Sequence, residues 1–317
     1  MRYGIGRGQS SRSGFPKVDL SKVFSSMEQH LKPVTIQEVS MRDGLQNEPV
    51  ILTPVQRINV IEALANAGLS HIQIGSFVNP RVVPQMAGTE IVVQGLSHLQ
   101  ERVAMSVLIL SEKGLEIAVE HDVRYIEIYV SASDTHSRRN TNISVADAIK
   151  KASRMIRRSQ TAGIHVTAGV MCAFGCFFEG AVPQVIVQQM VHEFLESGSS
   201  EIALADTTGM AVPDDVESLV NLLSRMVPVD CVSLHLHDTR GMGMSNLKAG
   251  LQAGVRKFDA SVGGLGGCPF IPGATGNIDT FYVVEFLETA GFTTGVNLEK
   301  LRTAGRALKS ILSSGAN

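Results

Sequence analysis

Eight short runs rich in valine, isoleucine and alanine recur between about residues 34 and 263, and a stretch with helical patterning separates each from the next. They are Thr35–Val39, His71–Phe77, Val103–Leu110, Tyr125–Ala132, His165–Ala173, Glu201–Thr207, Val232–His237 and Lys257–Val262. Strands that alternate with helices at this spacing form βαβ units around a parallel sheet, and eight of them suit a closed (β/α)8 or TIM barrel. An open doubly wound sheet is the structural alternative. The chain of 317 residues fits one such barrel, because α/β barrels reach 250 residues or more around a single core. Residues 1–30 read as a flexible arm and lead-in, and residues 31–317 as a catalytic barrel with C-terminal helices.

The intervening stretches carry helix-end signals. Thr53 caps a helix that has Pro54 at its first position and Gln56 closing a capping box, with Ile58, Ile61 and Leu64 on the apolar face and Gly68 at the end. Ser144 opens another, which buries Ile149, Ala152, Met155 and Ile156; a later one presents Val187, Val191 and Phe194 and stops near Gly198. These stripes are core faces. Hydrophobic residues make up 44% of the chain and charged residues 18%, enough apolar surface for a packed core. The net charge of -2 supplies no field to hold a polyanion, which argues against nucleic acid as a partner. No apolar run approaches the ~20 residues of a membrane-spanning helix, so no membrane partner is expected. Cys172, Cys176, Cys231 and Cys268 are too few and scattered for a disulfide framework, which points to reduced thiols and a cytoplasmic enzyme. Residues 1–17 are basic and free of acids, as in a mitochondrial leader, but their four glycines oppose the amphipathic helix that a leader needs.

The strongest local signal is Ser233-Leu234-His235-Leu236-His237-Asp238. Alternation along a strand sends His235 and His237 to one face, within reach of a single metal ion. An isolated His-x-His is ordinarily a pair of hydrogen-bonded buried histidines. Here Asp43 follows the first strand, which in a closed barrel lies near strands seven and eight, so two imidazoles and a carboxylate meet. After strand eight comes Gly263-Gly264-Leu265-Gly266-Gly267-Cys268-Pro269-Phe270, then Gly273 to Asn277. So many glycines permit tight backbone and a mobile lid with a cysteine at its tip; a structural turn with an incidental thiol is the plainer reading.

In the order of its motifs the chain resembles the 3-hydroxy-3-methylglutaryl-CoA (HMG-CoA) lyase family of metal-dependent TIM-barrel lyases. The similar segments are Glu38 to Glu48, Ser76 to Pro80 through Pro84-Gln85-Met86, Asp206 to Gly209, His235 to Thr239, and Ser261 through Asn277. The resemblance implies that Asp43, His235, His237 and Asn277 hold a divalent cation, Mg2+ by preference with Mn2+ as a substitute. It implies that Arg42 polarises the substrate, that Cys268 is a lid-borne catalytic thiol, and that Gln46, Gln73 and Ser76 lie against the acyl group. The implied substrate is an acyl-CoA thioester, and the implied setting is leucine or ketone-body metabolism. The chemistry agrees: retro-Claisen cleavage puts negative charge on two oxygens, and a metal ion and a fixed guanidinium meet one each. Asp206, at the end of strand six, is a candidate proton relay, and a structural carboxylate is an equal reading. Arg138 and Arg139, in a loop after strand four, are placed to meet the CoA phosphates, or form a solvated basic surface. Cys172 and Cys176 face the core.

Two departures bear on substrate identity. The family usually carries a glutamate in strand two, where this chain has Gln73, a neutral amide that leaves Arg42 less compensated and the pocket more electropositive. An aromatic residue is usual near the position of His136. A lyase for another C3-substituted 3-hydroxyacyl-CoA is therefore the nearest rival, followed by a condensing acyltransferase of the isopropylmalate synthase type and by a non-catalytic acyl-CoA-binding barrel. Oligomeric state is open at this level, a homo-oligomer included.

Overall fold

In the computed structural model, residues 33–267 and 275–314 are described; the arm expected over residues 1–30 and the loop cysteine Cys268 lie outside them. The eight strands are β1 (Thr35–Glu38), β2 (His71–Ser76), β3 (Ala104–Leu108), β4 (Tyr125–Ser131), β5 (His165–Met171), β6 (Glu201–Ala205), β7 (Val232–His235) and β8 (Lys257–Ala260). They pair in sequence order, all parallel, and β8 closes on β1 through Thr35–Lys257 to Glu38–Ala260, so the sheet is a barrel and not an open sheet. Most strand residues are buried, and the less buried ones lie largely at strand starts, as expected where side chains fill the barrel on one face and meet the helices on the other.

The surrounding helices are α1 (Pro54–Asn66), α2 (Thr89–Gly95), α3 (Glu112–Glu120), α4 (Asp134–Thr141), α5 (Val145–Thr161), α6 (Gln184–Glu196), α7 (Pro213–Leu223) and α8 (Gly243–Gln252), and two more, α9 (Thr280–Thr289) and α10 (Leu298–Ser314), follow β8. Thr53 and Gln56 form a reciprocal capping box on α1, and Ser144 caps α5 by accepting from the Asp147 amide; each such cap contributes about 1 kcal/mol. α10 packs back onto α1 and α9 and buries Leu301, Ala304 and Leu308. No helix among the described residues is long and apolar enough to cross a membrane.

One expectation is corrected. Residues 134–141, read as a loop, form α4: the Ser133 hydroxyl accepts from the His136 amide, Asp134 lies in the first turn, and Asn142 ends the helix in a left-handed conformation. Polar side chains concealed the helix, since its sequence offers no apolar stripe, but the two end signals close it.

Candidate metal and acyl-CoA site

The site lies at the C-terminal ends of the strands, where β1, β6, β7 and β8 release their loops. At the end of β1 the buried Glu38 accepts from the amides of Ser40 and Val262 and from the Thr280 hydroxyl. This carboxylate ties the first loop to the one after β8. A five-residue helical turn over Ser40–Gly44 then brings Arg42 and Asp43 side by side, joined by an Nη1–Oδ1 bond of 2.5 Å. On the facing side, β7 ends at His235, and His237, two residues on, forms an isolated bridge with Asn277. His235 and His237 point the same way, as strand alternation requires.

Asp43, His235 and His237 each offer a ligand atom within 4.8 Å of the others, and all three are buried. Their imidazole Nε2 atoms stand 3.1 Å apart, and each is 3.9 Å from Asp43 Oδ2. Two metal bonds of ~2.1 Å at a right angle separate their donor atoms by ~3 Å, so one ion fits between the imidazoles. Asn277 donates to Asp43 Oδ2 at 2.8 Å, while its own Oδ1 is buried without a partner, a free carbonyl oxygen beside the other donors. Two nitrogens and two oxygens suit a divalent cation such as Mg2+ or Mn2+. Among the described residues this is the one group of His, Cys, Asp or Glu side chains placed to hold an ion. Cys172 and Cys176, buried beyond β5, belong to no such group.

For Asp43 and His237 the electrostatics favour the protonation states that a metal ligand needs. Burial works against the Asp43 charge, but Arg42, His235, His237 and Asn277 outweigh it and hold the carboxyl far below its usual range. Burial, helped by His235, pushes His237 down to about 4, so its imidazole is neutral. His235 is pulled down by burial and upward, more strongly, by Asp259 and Asp43. Asp259, opposite His235 in the β7–β8 register, accepts from His235 Nδ1 at 2.9 Å; this bond assigns the proton to Nδ1 and turns Nε2 toward the ion site.

The Gly263–Gly267 run approaches the ligands closely. Gly266 has φ +105°, and a Cβ there would lie 2.6 Å from Asn277 Nδ2 and 2.9 Å from Asp43 Oδ2. Gly266→Ala is expected to weaken divalent-metal binding by at least ~10-fold through displacement of those two side chains. Calorimetric metal titration checks this, and wild-type affinity in the variant would show that the close approach is not required.

Arg42, Asp43, His235 and His237 open onto a cleft with about 700 Å3 of empty space, walled also by Tyr129, His136, Met171 and Thr207. Gln46 lines it and donates to Asp43 Oδ1 at 3.0 Å. Gln73 and Ser76 are buried and outside that lining: Gln73 Oε1 accepts from Arg42 Nε, and the Ser76 hydroxyl donates to the Leu108 carbonyl at 2.9 Å. Asp206 Oδ1 accepts from the Met210 and Ala211 amides, its Oδ2 is buried without a partner, and burial raises its pKa to about 6. Arg138 and Arg139 are exposed on α4; Arg138 pairs with Asp134 at 2.6 Å, and Arg139 lies 4.3 Å above the Phe178 ring. His136, on the same helix, faces the cleft. The sequence reading missed Asp259, Glu127 and Tyr129. The signal for the two acids was an ionisable residue inside a buried strand, a placement that costs free energy unless a partner is present.

A family model described as HMGL-like matches residues 33–308. The hydroxymethylglutaryl-CoA lyase of Pseudomonas mevalonii is 40% identical over 275 residues, 87% of this chain and 91% of that protein. The (R)-citramalyl-CoA lyase of Chloroflexus aurantiacus is 38% identical over 291 residues, 89% and 92% of the two chains. Among solved structures, an HMG-CoA lyase from A. baumannii in complex with coenzyme A and 3-methylmalate superposes with a TM-score of 0.85 at 36% identity, covering 90% of this chain and 92% of that one.

Proposed function

The chain belongs to the HMGL-like family, and from that premise we propose that its cleft cleaves HMG-CoA, or a close 3-hydroxyacyl-CoA analogue, to acetyl-CoA and a keto acid, acetoacetate in the first case. The protein is a carbon–carbon lyase that works with a divalent cation. The observation that carries the reading is the convergence of Asp43, His235 and His237 directly beside a buried arginine.

Asp43, His235, His237 and Asn277 would hold the cation, with Mg2+ preferred and Mn2+ as a substitute. When bound, it lowers the pKa of the substrate C3 hydroxyl and polarises the incipient ketone. Asp206, with its free Oδ2 and a pKa near the operating range, relays the hydroxyl proton. As the C2–C3 bond breaks, its electron pair moves into the thioester as an enolate, and the Arg42 guanidinium stabilises that oxygen. Cys268, carried on the glycine-rich loop, returns a proton to the enolate carbon. Gln46 borders the acyl group, with Gln73 and Ser76 behind it, while Arg138 and Arg139 flank the path of the CoA phosphates. The setting is a cytoplasmic one, in leucine or ketone-body breakdown.

A second reading, a lyase for a different C3-substituted thioester, draws on the similarity to a citramalyl-CoA lyase and on His136 in the cleft wall. The deciding experiment incubates the purified protein and Mg2+ with HMG-CoA and, separately, with (R)-citramalyl-CoA, and identifies both products of each. Acetoacetate release with the higher kcat/KM for HMG-CoA is expected. Preference for citramalyl-CoA selects the second reading, and cleavage of neither thioester rejects the lyase assignment.

A further inference from the structure

Across the barrel mouth from the ion site stands a tyrosine to which the steps above give no task. Strand alternation puts Tyr129 on the same face of β4 as Glu127, and Glu127 points into the barrel, where its Oε1 accepts from Gln37 of β1 at 2.8 Å and from Ser106 of β3 at 2.5 Å. Tyr129 is thus an inward residue, one layer nearer the cleft. In a closed barrel of eight strands β4 lies opposite β8, and the neighbours of β8 lead to Arg42 and Asp43 on one side and carry His235 on the other. All four residues line one cleft.

The tyrosine ring has a prepared seat. Tyr129 pairs in register with Gly169 of β5, and a Cβ at Gly169 would lie 2.2 Å from two of the ring carbons, so the ring rests on bare backbone that only glycine leaves open. By itself such a seat is a packing device. The hydroxyl gives it a further meaning, because it is buried and has no hydrogen-bond partner among the described residues, an arrangement that costs free energy until a ligand completes it. Burial, with Glu127 and Asp259 nearby, raises the phenol pKa well above its usual value. The group is a donor at neutral pH. Around it the wall is formed by Leu108, Leu110 and Met171, which offer an acid group nothing in place of water.

A thioester of the proposed class brings three polar groups into the cleft: the C3 hydroxyl, the thioester carbonyl and a carboxylate at the far end of the acyl chain. The ion site and Arg42 meet the first two. We propose that the Tyr129 hydroxyl donates to the third, which makes Tyr129 a specificity residue that selects 3-hydroxyacyl-CoA thioesters bearing a second acid group over those with a plain alkyl chain. The inference rests on the reading of the cleft as an acyl-CoA site and is independent of whether cleavage follows.

The test reads binding without turnover, by calorimetric titration of the protein in Mg2+ with two thioesters that lack the C3 hydroxyl and so cannot be cleaved. These are 3-methylglutaryl-CoA and 3-methylbutyryl-CoA, which differ only in the distal carboxylate. Tyr129→Phe removes the donor at constant shape and is expected to weaken the diacid thioester about 10-fold, with the monoacid within about 2-fold of wild type. Gly169→Ala keeps the hydroxyl but displaces the ring, and the same selective loss is expected. Equal weakening of both thioesters by Tyr129→Phe marks a packing role and overturns the proposal, as does diacid affinity within 2-fold of wild type in either variant. Wild-type protein that binds neither thioester overturns the acyl-CoA reading and the proposal together. Wild-type protein that binds the diacid but cleaves no hydroxyacyl thioester removes only the lyase reading, and the comparison of Tyr129→Phe with wild type still decides the proposal.

Discussion

His237→Ala protein is expected to fold normally, to bind no divalent cation at micromolar metal, and to turn over at least ~1,000-fold more slowly than wild type, because the ion is needed to acidify the hydroxyl and to meet the charge that develops on C3 oxygen. His237 suits the test better than its neighbour. It is neutral in the fold, with a pKa near 4, so its removal strands no charge, whereas loss of His235 would leave the buried Asp259 without its 2.9 Å partner. Asp259→Asn is then the graded control: it keeps every ligand and loosens only the orientation of His235, with an expected cost of ~10–100-fold in metal affinity. Metal content per chain and kcat, measured on the same preparations, decide the matter. A His237→Ala protein that retained stoichiometric metal, or a wild-type protein whose activity survived a chelator and gained nothing from added Mg2+ or Mn2+, would remove the ion from the reaction.

Arg42→Lys should lower kcat by at least ~100-fold while KM changes little, since an interaction made chiefly with the enolate is lost in the transition state and not in the ground state. The guanidinium uses Nε on Gln73 and Nη1 on Asp43 at once. An ammonium is a single point and cannot hold both contacts and still face the cleft. Cys268→Ala is expected to produce a loss of similar size with metal content intact, as the proposed role of its thiol as proton donor to the enolate carbon requires. Steady-state kinetics with product analysis separates the outcomes. A rise in KM alone for the lysine variant would make Arg42 a binding residue, and near-normal turnover of the alanine variant would reduce Cys268 to a structural member of its loop.

The sequence by itself determined the features that rest on local periodicity. Each of the eight strands begins within one residue of its expected start, because alternating or continuous apolar runs and the caps at Thr53 and Ser144 act over a few residues of chain. The common direction of His235 and His237 is of the same kind, a consequence of two-residue alternation. The nearness of Asp43 to that pair followed from closure of a barrel, once eight strands had been counted. What only the tertiary structure decided is how side chains distant in sequence meet across the interior. Asp259 turns His235 because β7 and β8 pair in one particular register, and Gln37 of β1 donates to Glu127 of β4 at 2.8 Å because strand tilt and stagger bring the two level inside the barrel. The same holds for the pKa of Asp206, raised to about 6 by burial that no local pattern reveals, and for the Ser76 hydroxyl, which is committed to the Leu108 carbonyl. Alternation tells which face a residue occupies. Which partner it finds there depends on shear, register and the loss of water, and these are properties of the closed barrel as a whole.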